Sequence, residues 1–561
     1  MPRTQLNRSS PTILGVGGSD HDVHACVVHA GHVVVAIEEE RLSRKKYGIG
    51  GNLLDGLARH HVLTRAGLTL DDVDDIVVDA ILPKTAMLAV RSRARQVDHH
   101  LCHAAAAFFT SGMPSAAVVV VDNAGGLVQD ESGPVLQATT WYHARGRDIT
   151  PLGQVGSTNW REGPLVLGTP YQQGDGDHSL GHFYKKVTGA LGYKFPPNAN
   201  GFYFPEDGIT MGLAAFSEPR FADRFSEFVT LRPEGRFQIW LNDGRFDAAL
   251  GALLNGAADD FQQRAAVAAS AQEVLQRVLC HVVDHVLAVT GEKHLCLAGG
   301  VAMNSVANAE ILRRTAAERV YIPPVPGDNG TGIGAALWTA TRDADAPVPA
   351  YSVYSGGGYA HDAIADALQH VDRDRFQIER LDDDALIDRV VALLTADKVV
   401  AWFTGGSENG RRALGNRSIL AAPHSGDMRD HINARVKHRQ WFRPLAPVVP
   451  DTDAARFFEM EQPSPYMQIV FHVRPEWRPR LGAITHVDGT ARVQTVDAAQ
   501  NPRLLRLLRA YERAAGIPIL LNTSFNGRGE PIVETPHEAV ACLHRMPLDA
   551  LVVEDHLVVR R

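Results

Sequence analysis

The chain has 561 residues, of which 45% are hydrophobic, so it is long and apolar enough for two large globular domains or three ordinary ones. Its formal net charge of -8 argues against a nucleic-acid partner, because such proteins usually concentrate basic residues on one face. The sequence has no apolar run of about 18 residues, which argues against a membrane-spanning helix.

The cysteines and the first residues predict the compartment. Met1–Pro11 lacks the apolar core of a signal peptide. The 5 cysteines are scattered and form no CxxC pair, so a disulfide framework is not expected. Together these features predict a cytoplasmic protein, and they leave its oligomeric state open.

The first predicted elements are short strands. Thr12–Gly17, Ala25–Ala30 and His32–Glu38 are rich in β-branched residues, and the glycine between the last two predicts an antiparallel start to a sheet. Leu53–Ala66 has helical spacing. Ala117–Val121 is a valine-rich run with a polar loop after it, which is typical of a strand buried on both faces.

Strands and helices then alternate. The predicted elements are a helix at Gln262–Val289, a strand at His294–Leu297, a helix from about Met303, a strand at Arg319–Ile322 and a helix at Gly332–Arg342. Such alternation favours an α/β architecture.

Asp343–Gly358 is rich in alanine, proline, serine and glycine and predicts a domain boundary. After it the pattern predicts a helix at Leu386–Leu394, a strand at Val399–Phe403, a helix at Leu504–Ala515 and a strand at Ile517–Leu521. We therefore predict an α/β protein with domains at residues 1–345 and 356–561.

A histidine pair indicates a metal site in the first domain. His99 and His103 are four residues apart, which places them on one face of a helix. Asp122 follows the valine-rich strand, and Asp328 lies in a loop rich in glycine and proline. Two imidazoles and two carboxylates suit a first-row divalent ion. Solvated histidines at a helix start are the alternative interpretation.

Two glycine turns indicate a nucleotide in a cleft of the same domain. Ala298–Asn304 joins a predicted strand to a helix, and Asp328–Gly334 precedes another helix. Glycine permits close approach of a ligand, and a helix N-terminus favours an anion. The predicted cofactor-binding residues here are Gly299, Gly300, Asn304 and Gly330.

The second domain contains a basic segment at Glu408–Pro447 that is interleaved with apolar residues. The interleaving favours a lined anion pocket over an open basic surface, which is the alternative. Arginine binds phosphoryl and carboxyl oxygens through two donors, and lysine as a point charge. The candidate residues are Arg412, Arg417, Lys437, Arg439 and Arg443, with Asn522, Ser524 and Asn526 placed just after a predicted strand.

Four motifs of the first domain, Glu38–Lys46, His99–Phe108, Ala298–Asn308 and Pro323–Ala336, resemble the antibiotic and nodulation O-carbamoyltransferase family. This resemblance implies an actin-like ATPase-type domain that is similar to the threonylcarbamoyl-transferring enzymes of tRNA modification. It also implies that the four metal-ligand candidates bind a divalent ion, usually iron(II).

The basic segment, His486–Val496 and Leu520–Val533 resemble the C-terminal YrdC-like domain of the same family. The resemblance implies that this domain binds ATP and carbamoyl phosphate and forms carbamoyl-adenylate. By motif match Lys437, Arg443, Arg492 and Ser524 contact these cosubstrates. Because all of them follow the boundary, residues 356–561 are expected to carry out activation without the first domain.

The sequence departs from the family at three places. Tyr47 stands where members often have histidine, so His21 becomes the candidate base or metal-side residue, and a solvated histidine in a turn is the alternative. Ile209 replaces a lysine, and Asp122–Gly126 replaces a plain glycine run.

The expected acceptor is a hydroxyl of a small secondary metabolite such as an antibiotic. The segments that match the family least, Arg145–Gly181 and Arg220–Phe261, are expected to recognise it. They contain aromatic and acidic residues, namely Trp160, Tyr171, Trp240, Asp175 and Asp177. Two alternatives remain open: tRNA threonylcarbamoylation, and a nucleotide-binding sensor without turnover.

Overall fold

The computed structural model describes residues 10–48, 56–130, 133–166, 169–174, 177–194, 206–256, 260–343 and 351–561. They form two compact units. The first unit contains Tyr47–Tyr351 and the described residues up to Glu39. The second unit contains Ser352–Arg561 together with the short segment Glu40–Lys46, which the sequence pattern had placed in the first domain.

The first unit is built on two mixed sheets. Its strands are β1 (Thr12–Gly17), β2 (His24–His29), β3 (His32–Glu38), β4 (Asp75–Asp79), β5 (Ala94–Val97), β6 (Ser115–Val121), β7 (Leu127–Asp130), β8 (Gly133–Arg145), β9 (Asp148–Ser157), β10 (Trp160–Val166), β11 (Thr169–Gly174), β12 (Val229–Leu231), β13 (Phe237–Ile239), β14 (His294–Ala298) and β15 (Arg319–Tyr321). The predicted strands at the start of the chain, the buried valine strand and the strand after the long helix are confirmed.

The two sheets have the same order of antiparallel and parallel strand pairs. In the order β3-β2-β1-β4-β5, the first three strands are antiparallel and the last two join in parallel. In the order β7-β8-β6-β14-β15 the same sequence of antiparallel and parallel pairings recurs, with β9 added against β8. Since parallel neighbours end at the same edge of a sheet, the loops after β1 and β4 meet, as do those after β6 and β14.

The helices of this part of the chain are α1 (Glu39–Ser43), α2 (Leu57–Ala66), α3 (His99–Ser111), α4 (Leu180–Ala190), α5 (Asp207–Ala214), α6 (Ala222–Ser226), α7 (Arg245–Leu254), α8 (Phe261–Thr290), α9 (Ser305–Arg314) and α10 (Thr331–Asp343). The predicted long helix is confirmed as α8, whose N-cap Asp260 accepts the Gln263 N–H at 2.9 Å. The helix predicted from Met303 begins instead at Ser305, after a 3-10 turn at Gly300–Met303. Residues 53–55 of the predicted second helix lie outside the described residues.

The core of the first unit lies around α3 and α10. Ala104, Ala105 and Ala107 of α3 are fully buried, and α10 packs on both α3 and β1. The approach is close because glycines line it: a Cβ atom at Gly334 would lie 1.8 Å from the Cys102 carbonyl oxygen. Small residues thus bring together the two helices whose N-terminal ends carry the candidate ligands.

The second unit has one sheet of 8 strands in the order β16-β25-β24-β17-β18-β23-β19-β22, and a small pair β20-β21. Its strands are β16 (Phe376–Arg380), β17 (Val400–Phe403), β18 (Arg417–Ala421), β19 (Ala446–Pro450), β20 (Phe471–His472), β21 (Thr490–Ala491), β22 (Gln494–Val496), β23 (Leu520–Ser524), β24 (Ala550–Val553) and β25 (His556–Arg560). The helices are α11 (His361–Gln369), α12 (Asp383–Thr395), α13 (Gly426–His431), α14 (Ala454–Phe457), α15 (Pro502–Ala515) and α16 (Pro536–Arg545).

One predicted strand is shifted in the second unit. The strand expected at Ile517–Leu521 runs from Leu520 to Ser524, where it pairs with both β18 and β19. Asn522 and Ser524 therefore belong to the strand and not to the loop after it. The predicted end of the strand was wrong because asparagine and serine have a low strand preference. Pairing with a strand on each side outweighs that preference.

The sheets and helices confirm an α/β protein built on mixed sheets. All 5 cysteines lie in the described part of the chain and are buried thiols without a disulfide. Among the described residues, no helix combines the length and apolarity that a membrane crossing requires.

We expect Gly334→Ala to destabilise the protein, because the added methyl group collides with the backbone of α3. Overpacking of this kind costs ~1–3 kcal/mol. Urea unfolding followed by circular dichroism measures the decrease in stability. Gly251→Ala is the matched control, since that helical glycine has open space around it and alanine favours a helix by ~1 kcal/mol. Equal midpoints for wild type and Gly334→Ala would contradict the role of this contact.

Candidate functional site

The four predicted metal ligands come from three elements of the first unit. His99 and His103 lie one turn apart at the N-terminal end of α3, where Asp98 caps the helix by accepting the Leu101 N–H at 2.9 Å. Asp122 immediately follows β6, and Asp328 opens the 3-10 turn before α10. The cap fixes the start of α3 and therefore the direction of both imidazoles.

The structure brings these four side chains together. One ligand atom from each lies within 4.8 Å of all the others. His99 Nε2 is 3.3 Å from Asp122 Oδ2 and 3.9 Å from Asp328 Oδ1, and His103 Nε2 is 3.4 Å and 3.7 Å from the same atoms. His103 Nε2 is buried without a hydrogen-bond partner. A buried nitrogen left in this state, facing two carboxylates, fits a divalent cation.

Asp79 is a functional residue that sequence reasoning missed. It ends β4, is fully buried, and its Oδ2 lies 2.7 Å from His99 Nδ1. A carboxylate in this position holds the proton on Nδ1 and leaves Nε2 free to act as a ligand. The available signal was its place at the end of a buried strand, which became informative only once β4 was known to run parallel to β1.

The pKa of Asp122 shows how the cluster is balanced. Burial alone raises the pKa of this carboxyl group, but the neighbouring imidazoles of His103 and His99 hold it well below its usual range. Gly300 adds a backbone N–H at 3.3 Å from Asp122 Oδ1. Asp122 is therefore ionised and held in place, as a ligand must be.

His21 lies beside the cluster. Its Nδ1 is 3.0 Å from Asp22 Oδ2, and Ser19 nearby donates to Asp328 Oδ2 at 2.7 Å. Burial lowers the pKa of His21, but Asp22, with Asp20 and Asp328, raises it to about 9. A protonated imidazole suits a proton donor or an anion contact better than the base predicted from the sequence.

The predicted nucleotide-binding glycines have tight packing. A Cβ atom would lie 2.2 Å from the Val121 carbonyl oxygen at Gly299, and 2.1 Å from the Val325 carbonyl oxygen at Gly330. Backbone packing alone thus requires glycine at both positions, and their nucleotide role stays a prediction.

Asn304 is the N-cap of α9. Its side chain accepts the Ala307 N–H at 3.0 Å and exchanges two amide hydrogen bonds with Gln272, at 2.9 Å and 3.1 Å. These contacts explain the residue structurally, so its predicted contact with a nucleotide also stays a prediction.

In the second unit, four predicted arginines form one cationic cluster. Arg412, Arg439, Arg443 and Arg492 are half-buried. Burial and the charges of Arg412, Arg439 and Arg443 lower the pKa of Arg492 well below its usual value. Burial with Arg443 lowers the pKa of Arg439 to about 9 and, with Arg443 and Arg411, that of Arg412 to about 10. Like charges gathered in this way favour the binding of an anion, and the anion site itself stays a prediction.

Arg417 does not join this cluster. Its guanidinium donates to the carbonyl oxygens of Thr404 and Gly405, at 2.8 Å and 3.1 Å, and lies 3.7 Å from the centre of the Phe403 ring. Burial lowers its pKa, and the charges that oppose the shift are those of Glu534 and Glu408. These contacts give Arg417 a structural position, because β18 pairs with β17 and directs it toward the Thr404 turn.

Lys437 forms hydrogen bonds with the turn that follows β23. Its Nζ donates to the carbonyl oxygens of Ser524 and Asn526, at 2.8 Å and 2.9 Å, and lies 2.5 Å from Asn526 Oδ1. Burial, Arg439, Lys46 and Arg443 lower the pKa of Lys437 well below its usual value. Lys437 thus orders the turn on which Ser524 and Asn526 lie. A catalytic role for it remains a prediction.

Asn522 is buried inside the sheet. Its Nδ2 donates to Gln494 Oε1 at 2.7 Å, while its Oδ1 has no hydrogen-bond partner. This amide pair joins two strands of the sheet near the cationic cluster, so the structure gives Asn522 a supporting position.

The predicted acceptor segments are described in part. Trp240 is 42% exposed and stands edge-on against the ring of His178, with 4.9 Å between centroids. Asp177 accepts the Leu241 N–H. Trp160 begins β10 and Tyr171 lies in β11, whereas Asp175 lies outside the described residues.

The structure explains two of the three positions at which the sequence departs from the family. Ile209, which replaces a lysine, is fully buried in α5, where an apolar side chain packs without the cost of burying a charge. Tyr47 has a left-handed backbone (φ 64°), and its carbonyl oxygen accepts the Asp22 N–H at 2.8 Å. Tyr47 thus holds the loop that carries His21.

A second histidine–aspartate group lies on the second unit. Asp366, His370 and His537 are exposed, and their ligand atoms lie within 4.8 Å of one another. His537 Nε2 is 3.1 Å from Asp366 Oδ2. An exposed ion pair accounts for this contact without a metal.

Comparisons with known proteins match both units. Residues 86–337 match the family described as Carbamoyltransferase N-terminus, and residues 391–560 match the family described as Carbamoyltransferase C-terminus. Nodulation protein NolNO of Sinorhizobium fredii is 34% identical over 96% of this chain and 79% of its own length. Uncharacterized protein sll1178 of Synechocystis sp. is 32% identical over 98% of this chain and 96% of its own length.

The chain also resembles a solved structure of full-length HypF in a phosphate- and nucleotide-bound form. That structure is 14% identical, covers 60% of this chain and 47% of its own, and has a TM-score of 0.39. Similarity at this level supports no inference about fold or function.

We expect the purified protein to bind one divalent ion and the double variant His99→Ala, His103→Ala to lose it, because two carboxylates alone make a weak site. Asp79→Asn should lower the affinity about 10- to 100-fold through the orientation of His99. Elemental analysis and metal titration measure both effects. The exposed His60→Ala is the control. Unchanged metal content in the double variant would contradict the site.

Proposed function

The chain belongs to the carbamoyltransferase family, and from that membership we propose that this enzyme is an ATP-dependent O-carbamoyltransferase. In this proposal the second unit converts carbamoyl phosphate and ATP into carbamoyl-adenylate. The first unit then transfers the carbamoyl group to a hydroxyl of a small secondary metabolite.

The observation that carries the proposal is the arginine cluster of the second unit. Burial lowers the pKa of Arg492, and the charges that add to this shift, those of Arg412, Arg439 and Arg443, are all positive. Keeping like charges half-buried is unfavourable unless a ligand compensates them. Phosphoryl oxygens do so with two donors per arginine. Carbamoyl phosphate and the triphosphate of ATP both supply such oxygens.

The side chain of Trp441 supports the proposal that this site binds a nucleotide. This side chain is 59% exposed and lies in sequence between Arg439 and Arg443 of the cluster. Tryptophan is enriched at binding interfaces, because its indole combines a large apolar surface with one polar N–H. A flat indole next to phosphate-binding arginines suits stacking against a nucleobase.

In the first unit, His99, His103, Asp122 and Asp328 would hold the divalent ion, and we propose iron(II) on the family resemblance. Such an ion supplies Lewis-acid and template chemistry. The protein's own contribution is orientation: Asp79 directs His99, Gly300 fixes the Asp122 carboxylate through its N–H, and Ser19 fixes Asp328.

The proposed reaction has three steps, of which the first two form carbamoyl-adenylate. Water releases phosphate from carbamoyl phosphate, the resulting carbamate oxygen attacks the α-phosphorus of ATP, and pyrophosphate leaves. The acceptor hydroxyl then attacks the carbamoyl carbon, the bond to AMP breaks, and the hydroxyl proton passes to solvent or to a base. The arginine cluster would stabilise the negative charge that develops during these first two steps.

The fold assignments of the two units belong to the same proposal. The strand-pairing pattern that recurs in the two sheets of the first unit is offered in support of an actin-like ATPase-type domain. The single mixed sheet of the second unit, with its cationic cluster, supports a YrdC-like activation domain.

A small acceptor is favoured over tRNA for electrostatic reasons. RNA binding depends on neutralising many phosphates with clustered lysine and arginine. The net charge of the chain is -8, and the densest basic cluster is assigned to phosphate-bearing cosubstrates. Trp240, exposed in a segment that matches the family poorly, offers an aromatic face for a hydroxylated or cationic small molecule.

We expect pyrophosphate release from ATP to depend on carbamoyl phosphate, and Arg443→Ala to reduce the rate about 10- to 100-fold by removing one charge-assisted contact. A coupled pyrophosphate assay on the full-length enzyme measures this. Arg389→Ala is the control, because Arg389 pairs with Glu379 outside the cluster. Release without carbamoyl phosphate, or no release at all, would refute the activation step and leave the nucleotide-binding sensor as the better interpretation.

The acceptor is tested by competition. We expect label from carbamoyl phosphate, in the presence of ATP, to enter a small hydroxylated compound from a panel of aminoglycosides, macrolides and nucleoside antibiotics, and not total tRNA in the same mixture. Mass spectrometry of both fractions identifies the product. Label in tRNA alone would establish the threonylcarbamoylation-type alternative.

A further inference from the structure

A short segment near the start of the chain belongs to the second unit. Glu40–Lys46 packs with Ser352–Arg561, whereas the residues on either side of it in sequence belong to the first unit. The segment includes most of α1, and we call it the strap. The strap lies within the Glu38–Lys46 motif, but nothing in the sequence shows that this motif packs with the second unit, since it continues directly from β3.

Arg41 anchors the strap to one loop. Its side chain is 1% exposed, and its Nη2 donates to the carbonyl oxygens of Glu408 and Gly410, at 3.0 Å and 2.9 Å. The loop that it holds leads directly to Arg412 of the cationic cluster. A buried guanidinium that spans two carbonyl oxygens fixes their separation.

The same loop is braced from within. Glu408 Oε1 accepts the N–H groups of Leu414, Asn416 and Arg417, at 2.7 Å, 3.0 Å and 3.1 Å. Because the loop is thereby tied to the start of β18, Arg41 holds a rigid piece of backbone and not a loose turn.

Arg44 anchors the strap to a second loop. Its guanidinium donates to the carbonyl oxygens of Ile532 and Pro531, at 2.8 Å and 2.9 Å, and lies 3.3 Å from Glu538. This loop follows the turn of Ser524 and Asn526. Glu538 in turn accepts the Glu534 N–H at 2.7 Å, which continues the support into α16.

We propose that Arg41 and Arg44 are positioning residues that hold the two loops of the phosphate site in register. The inference rests on the proposed function, in which the arginine cluster binds phosphate-bearing cosubstrates. It corrects the expectation that residues 356–561 suffice for activation, because that span lacks the strap. The site is completed by chain that lies more than three hundred residues earlier in the sequence, as the separation of 367 between Arg41 and Glu408 shows.

A purely stabilising role and a positioning role predict different kinetics. If Arg44 only stabilises the fold, its removal lowers the amount of folded enzyme and leaves the KM of that enzyme unchanged. If Arg44 positions the loop, its removal displaces donors from the phosphoryl oxygens and raises the KM for carbamoyl phosphate.

The test uses the full-length enzyme and the variant Arg44→Ala, whose side chain is partly exposed and whose removal spares the buried Arg41. We expect the KM for carbamoyl phosphate in pyrophosphate release to rise about 10-fold with kcat changed less than about 2-fold. We also expect faster amide hydrogen exchange in residues 525–534 and unchanged exchange in the first unit. Arg313→Ala, an exposed arginine paired with Glu310 on its own helix, is the control.

Two further variants keep the test decisive. Arg44→Lys retains the charge but not the planar fork, so its KM should lie between those of wild type and Arg44→Ala. Arg41→Lys should instead speed exchange in residues 408–417. If both Arg44 variants had the wild-type KM and wild-type hydrogen exchange, the proposed positioning role of the strap would be wrong. Should wild type release no pyrophosphate, the proposed function fails, and exchange protection by inorganic phosphate then tests the strap separately: equal protection in wild type and Arg44→Ala would overturn it.

Discussion

The first unit depends on the compensation of a buried carboxylate. Asp122 is ionised in a place where burial opposes its charge, and the two imidazoles of α3 and the N–H groups of Asn123 and Gly300 offset that cost. Two close backbone contacts hold these groups together. The helix α10 approaches α3 closely, and Gly299 packs against Val121 with no room for a side chain. A divalent ion would replace the imidazolium charges with its own and let the same groups serve as ligands.

The second unit has the opposite problem. Its cluster gathers positive charge, and burial together with the repulsion between the guanidinium groups lowers the pKa values of Arg412, Arg439 and Arg492. Such a site is less stable when empty than when filled, since an anion that binds only the folded state stabilises it by mass action. The strap and the Lys437 contacts with the Ser524 turn are therefore needed to keep the loops in place before the ligand arrives.

Sequence reasoning predicted what is local. The spacing of His99 and His103, the valine strand before Asp122 and the long helix α8 all follow from periodicity within one element, and the structure has them. Asp79 and Arg41 escaped because their partners are distant in sequence: Asp79 meets His99 through the pairing of β4 with β1, and Arg41 meets Glu408 through contacts that leave no periodic signal. A motif of basic residues likewise could not show that Arg417 faces backbone carbonyl oxygens instead of the cluster, because strand pairing sets that direction.

The strap also changes what a domain boundary means in this chain. Composition places the boundary after about residue 343, where the sequence has little periodicity. That criterion depends only on residues that are neighbours in sequence. Packing assigns Glu40–Lys46 to the far side of it, because a buried arginine must satisfy its donors wherever carbonyl oxygens are available. The phosphate site of the second unit then depends on residues translated long before the rest of that unit. Folding of the site must therefore wait for a non-local contact whose loop-closure cost grows with the length of the chain between the two partners. An enzyme divided between two units thus carries, in one buried side chain, a requirement that both parts of the chain be present before the charged site is complete.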